Sequence, residues 1–178
     1  MKKFFYTFAF ILCALMTLQA ETMVVATYNL RNANGGDSTN GNGWGQRYPY
    51  IAQIVQFHGF DIFGTQEGKY PQLQDLKQAM PGYDYIGVGR DDGKQAGEHS
   101  AIFYRTDKFE VLEHGDFWLS EITDRPNKGW DAVLPRICTW GEFRDKQTGF
   151  TFLFFNLHMD HVLSLIHISE PTRRTPIS

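Results

Sequence analysis

Only two cysteines occur in 178 residues, and one of them is Cys13, close to the N-terminus. If a leader is removed, Cys138 stands alone; no intrachain disulfide can then form even in an oxidising compartment, and packing must hold the fold. Cys138 lies between Ile137 and Thr139 in a strand-like run and reads as a small buried hydrophobe rather than a nucleophile. The sequence also lacks a membrane-spanning run: the apolar stretch from Phe4 to Leu18 falls short of the roughly 20 residues a spanning helix needs. Basic excess is missing too. Residues 21–162 carry 13 Lys and Arg against 19 Asp and Glu, a balance of −6. That balance repels polyanions and leaves out the basic footprint of a nonspecific duplex binder. No internal repeat and no interdomain linker is present, so one domain is expected.

Both ends look foreign to that domain. Residues 1–20 open with Lys2 and Lys3, continue through the apolar stretch and close on small or polar residues up to Ala20. This is the pattern of a secretory signal peptide, with cleavage expected between Thr17 and Met23 and a secreted or periplasmic destination. Residues 163–178, "LSLIHISEPTRRTPIS", carry no turn signal and continue no periodicity; they resemble translated adaptor or vector read-through and are set apart as a non-native tail. The folded part is therefore expected over residues 21–162.

Along that part, "TMVVATYNL" is rich in β-branched and aromatic residues and predicts a buried strand ending at Asn29. A long Gly/Asn-rich loop, "RNANGGDSTNGNGWGQR", follows and is a candidate cap over a site. From Tyr48 the spacing of Ile51, Ile54 and Val55 predicts a helix that stops at Gly59, and "DIFGTQE" predicts a strand running into Gln66 and Glu67. Pro71 opens a second helix, with Leu73, Leu76 and Met80 on one face. The remainder is β-rich, and "RICTWGEF" and "FTFLFFNLH" predict a hairpin. Phe150 to Phe155 is apolar without strict alternation, which predicts a strand covered on both faces. Two helices among about seven strands suggest an α/β sandwich.

Three predicted strands end in polar groups: Asn29, Glu67, and the pair Asn156 and His158. Open α/β sheets place their ligands at the carboxyl ends of strands, so these residues are candidates for one shared rim. Taken singly, each has a bland reading: a solvated loop acid, a hydrogen-bonded structural histidine, a turn-capping asparagine.

The ordered set "TYNLR", "DIFGTQE", "GEHSAIFYR", "LPRICTW" and "FFNLHMDH" resembles the endonuclease/exonuclease/phosphatase superfamily of metal-dependent phosphodiesterases, most of all its small secreted bacterial branch, over Thr22 to about Val162. The resemblance implies the first half of a four-layer α/β sandwich, truncated, with a mixed, mostly antiparallel sheet and helices on one face. It implies Glu67 as the ligand of Mg²⁺, with Mn²⁺ as an alternative, since a hard oxygen ligand suits an ion that keeps several waters. It implies Asn29 as the residue orienting the metal site, His158 as the histidine on the scissile phosphate, and Glu98 as the acid that hydrogen-bonds this histidine. Arg136, and with it Asn156, would bind substrate. A carboxylate on one ring nitrogen would fix the His158 tautomer and raise its pKa. The expected activity is hydrolysis of a phosphate ester or diester.

The family's Gly-Asp-x-Asn motif and its later Asp-His dyad do not occur. Asp160-His161 has the letters of the dyad but follows the Asn-x-His strand directly, and both residues read as rim residues. With the second sheet missing, one face of the sheet would lie uncovered, and an inactive fragment is expected. The expected partner is a small phosphorylated substrate or phosphodiester. Two readings compete: a secreted deoxyribonuclease, disfavoured by the acidic balance, and a non-catalytic glycan- or protein-binding module using Trp44, Tyr48, Trp118 and Trp130.

Overall fold

The computed structural model describes residues 22–130 and 132–160; the expected leader, His161 and the tail over 163–178 lie outside them. Strand β1 (Val25–Asn29) runs parallel to β2 (Ile62–Gln66), in a register from Val25 opposite Ile62 to Asn29 opposite Gln66. Parallel neighbours need a long crossover. Here it contains a short helix α1 (Gly35–Thr39), capped by Asn34, and a fifteen-residue helix α2 (Trp44–His58). α1 lies inside the loop expected to be irregular, and α2 begins four residues before the expected Tyr48, where the Gln46 side chain accepts from the Gly43 N–H at 2.9 Å. α2 ends as expected at Gly59, whose φ of 61° suits a residue without Cβ.

After β3 (Gly68–Lys69) comes α3 (Tyr70–Ala79), with Pro71 in its first turn. Strand β4 (Tyr83–Ile86), the short β5 (Glu98–His99) and β6 (Ile102–Arg105) follow. The main sheet has the order β1-β2-β6-β4, antiparallel after its first pair, while β5 pairs with β3. Strands β7 (Phe109–Trp118), β8 (Ile137–Asp145) and β9 (Thr151–Leu157) form an antiparallel three-stranded sheet in which β8 and β9 are the expected hairpin.

The main sheet is the middle layer. On one face Phe63 and Phe103 pack against Ile51, Val55, Leu73 and Leu76 of α2 and α3. On the other, Ile62, Ile86 and Ile102 pack against Phe109 and Phe143 of the second sheet, with Phe152 and Phe154 alongside. The helices do lie on one face of a mixed sheet. The expectation of an uncovered face is corrected in position: β7-β8-β9 covers the main sheet, and it is the far side of that cover that faces out. Leu153 is 58% exposed and Phe155 53%, so β9 alternates in and out and is not covered on both faces as its composition suggested. The strand buried on both faces is β2, from Ile62 through Thr65.

The two sheets are tied by a polar side chain. Asn156, almost fully buried, donates through Nδ2 to the carbonyls of Thr65 (2.8 Å) and Ala101 (3.0 Å) and accepts from Gln66 Nε2 (2.9 Å). Gly64 makes room for it, since a Cβ there would collide with the amide. Substituting Asn156→Ala should lower unfolding stability by about 2–4 kcal/mol, through lost hydrogen bonds and a cavity. Urea denaturation reads this directly; a midpoint equal to the wild type's would show that the tie contributes nothing.

Candidate active site

Because β1 and β2 are parallel, their carboxyl ends open on the same side. Past those ends the backbone turns sharply: Arg31 has φ 54° and Glu67 φ 63°, conformations that cost a non-glycine residue roughly 1–3 kcal/mol each. The surroundings hold them there. The Leu30 N–H donates to the Gln66 carbonyl (2.9 Å), and Arg47 donates to the carbonyls of Leu30 (2.6 Å) and Arg31 (3.0 Å). The buried Gln72 amide donates to the Arg31 carbonyl (3.2 Å) and accepts from the Ala33 N–H (2.9 Å).

This turn aims the Glu67 carboxylate at two donors: Asn29 Nδ2 reaches Oε1 at 2.8 Å and the Asn32 N–H reaches Oε2 at 3.2 Å. Burial alone would raise the Glu67 pKa. The hydrogen bonds from Asn29 and Asn32, with the nearby Arg31 charge, outweigh it and hold the carboxyl below its ordinary value. Asn29 thus holds one oxygen of the Glu67 carboxylate in place.

Glu98 arrives through the β3–β5 pairing, which sets it opposite Lys69, two residues beyond Glu67. Its oxygens are occupied by this chain's own donors: Asn32 Nδ2 on Oε1 (3.2 Å) and Arg90 Nη1 on Oε2 (2.7 Å). Asn32 therefore bridges both acids. The expected hydrogen bond from His158 to Glu98 is not formed among the described residues, and His158 Nδ1 is buried without a partner. Nor is the imidazole pKa raised. Burial lowers it first and the Arg136 charge lowers it further, against the pull of Glu67 and Glu98, which favours the neutral ring.

Arg136, nearly buried, donates from Nε to Asp160 at 3.1 Å. Asp160 is buried as well, which corrects its reading as a rim residue. Asn156, expected to touch substrate, has its amide committed between the two sheets. Glu67, Arg90, Glu98, Arg136 and His158 line one small cleft together with His99, Ser100 and Ile137. Arg90, a member of the cleft, and Asn32, which bridges two of its acids, went unnoticed in the sequence. The available signal was the glycine-bounded loop from Gly89 to Gly97 returning antiparallel onto itself.

A larger hollow beyond Asn29, lined by Tyr28, Arg47, Tyr50 and Ile54 among others, holds no acid and no imidazole. The aromatic residues considered for a binding rim do not form one: Trp118 is buried with its indole N–H on the Arg90 carbonyl, Trp44 is tied to Asp75, and Trp130 is half exposed. Cys138 is buried as expected, which pushes its thiol up to about 11.

Among the described residues, no three His, Cys, Asp or Glu side chains converge as a ready metal-binding group. That excludes a closed zinc-type set within them. A single ionised carboxylate with one hydrogen bond on each oxygen keeps lone pairs for a hard cation that retains its waters, so Glu67 fits Mg²⁺.

A half-buried histidine with a lowered pKa carries a pH signature. The folded-state pKa lies below the unfolded value near 6.5, so the unfolded chain binds the proton first and His158 penalises folding as pH falls below that value. The ring of His158, followed by NMR, should titrate below 6.5, and His158→Gln should flatten the loss of stability between about pH 7 and 5. Titration above 6.5 would restore the direct Glu98 contact.

No family model matches the chain. Solved structures do. An endonuclease/exonuclease/phosphatase family protein from Bacteroides thetaiotaomicron is 73% identical, with a TM-score of 0.80 over 81% of this chain and 53% of its own. A mannosyl-6-phosphatase from the same organism is 64% identical, with a TM-score of 0.78 over 88% of this chain and 62% of its own. An endonuclease/exonuclease/phosphatase from Bacteroides vulgatus is 46% identical, with a TM-score of 0.76, covering 83% and 60%. This chain thus spans between 53% and 62% of the length of these three proteins.

Proposed function

We propose that this chain, which belongs to the endonuclease/exonuclease/phosphatase family, carries the phosphate-handling cleft of an exported, Mg²⁺-dependent phosphoester hydrolase. The observation that carries this reading is the meeting of Glu67, Arg136 and His158 in one cleft at the carboxyl ends of parallel strands. A cation held by Glu67 would supply Lewis acidity to phosphate oxygens, and charge stabilisation is the main demand of phosphoryl transfer.

The chain's own side chains supply the rest. Asn29 and the Asn32 N–H keep Glu67 ionised and fixed in rotamer. Asp160 steadies the Arg136 guanidinium, a planar donor suited to phosphate oxygens. His158, neutral and half-buried, offers a ring nitrogen as a hydrogen-bond donor or a proton acceptor near pH 7. The substrate class favoured is a small phosphate ester. The mannosyl-6-phosphatase among the similar structures supports a sugar phosphate, and the balance of −6 over residues 21–162 disfavours a long polyanion. The leader-like residues 1–20 support export.

Carried into a full-length homologue, the substitution Glu67→Gln should reduce Mg²⁺-dependent turnover of a mannosyl 6-phosphate by roughly a hundredfold or more. It should also abolish the Mg²⁺ binding isotherm seen by calorimetry, a readout that does not need turnover. An unchanged isotherm would remove Glu67 as the ligand.

A further inference from the structure

Arg90 is one of the least explained charges in the molecule. Its side chain is 10% exposed, yet of its five N–H groups the one hydrogen bond made among the described residues runs from Nη1 to Glu98. Nε is buried with no hydrogen-bond partner; the nearest acid oxygen, on Asp91, stands 3.9 Å away, beyond bonding distance. A buried guanidinium donor left unmet is costly, and such groups in native proteins call for a ligand, a water or a functional role.

The loop around Arg90 is built to hold it in place. The Arg90 N–H donates to the Glu98 carbonyl (3.1 Å), its carbonyl accepts from the Trp118 indole (2.8 Å), and the Asp91 N–H donates to the Ala96 carbonyl (3.1 Å). Glycines permit the closeness: a Cβ at Gly89 would run into the Ala96 backbone. Gly97, at φ 84°, packs where a Cβ would meet the Asp91 carboxylate. A segment so constrained fixes one side chain, and that side chain lines the cleft beside Arg136 and His158.

We propose that Arg90 is a specificity-determining ligand for the terminal oxygens of a phosphate monoester dianion, and that Glu98 orients Arg90; this assignment rests on the phosphoester reading of the cleft. Two guanidiniums in one cleft match a group with three terminal oxygens better than a diester, which offers two and a single charge. Glu98, with Arg90 Nη1 on one oxygen and Asn32 Nδ2 on the other, holds the guanidinium in place.

The test uses the full chain and two probes, inorganic phosphate and dimethyl phosphate, in calorimetric titrations of the wild type, Arg90→Lys, Glu98→Gln and the double variant. Phosphate should bind about tenfold or more weakly to each single variant, with no further loss in the double, while dimethyl phosphate is little affected. In the wild type, the Arg90 Nε–H resonance should move on adding phosphate, which keeps the test open if a variant misfolds. Equal phosphate affinity in a folded Arg90→Lys, or an Nε–H resonance that stays still while phosphate binds, would overturn the role of Arg90 and leave the phosphoester reading intact. A folded wild type that binds no phosphate would overturn both.

Discussion

The 2.8 Å hydrogen bond from Asn29 to Glu67 joins the ends of two parallel strands, and the arrangement of the cleft follows from it. It exists because β1 and β2 run in the same direction with Asn29 opposite Gln66, so that the residue after Gln66 turns back toward β1. The left-handed backbone at Glu67 is what brings the carboxylate round. A residue in that conformation persists only where its neighbours over-determine it, and here the crossover loop does so through Arg47, Gln72 and the Leu30 N–H. The same loop carries Asn32, which reaches both Glu67 and Glu98. Local strain, loop anchoring and acid placement are one construction.

Charge in the cleft is arranged in pairs with unequal freedom. Glu98 is bound to Arg90 and Asp160 to Arg136, both pairs largely out of solvent, where removing one partner would leave the other charge uncompensated. Among the described residues Glu67 has no arginine within hydrogen-bonding distance; amide donors hold it instead, leaving its charge for a cation. His158 sits among these charges with its pKa held below the ordinary value by burial and the Arg136 charge. Such an arrangement suits a site that receives a cation and an anion together.

The strand-end residues were legible only as an ordered set, since each taken singly had a bland reading, whereas Gly59 and Pro71 marked helix limits through backbone chemistry that needs no tertiary context. Arg90 was not legible: it stands in a polar loop, and only the antiparallel return that places it on Glu98 gives it meaning. Asn156 misled for a related reason. One position in sequence from a strand end, it reads as a site residue, but the alternation along β9 turns it inward between the sheets. Asp160 looked like surface because it follows a histidine at a strand terminus, and its burial depends on Arg136, 24 residues away. The uniform apolar letters of β9 concealed which residues face the core, since Phe154 and Phe155 are alike in composition and opposite in direction.

The central proposal is spatial: a divalent cation held by Glu67 would lie next to the ring of His158, which lines the same cleft. Paramagnetic broadening by substoichiometric Mn²⁺ tests it most directly. The His158 ring signals should broaden strongly while those of His58, at the far end of α2, change much less, and Glu67→Gln should abolish the difference. Equal broadening of both histidines, or a His158 signal that survives while the metal is bound, would contradict it.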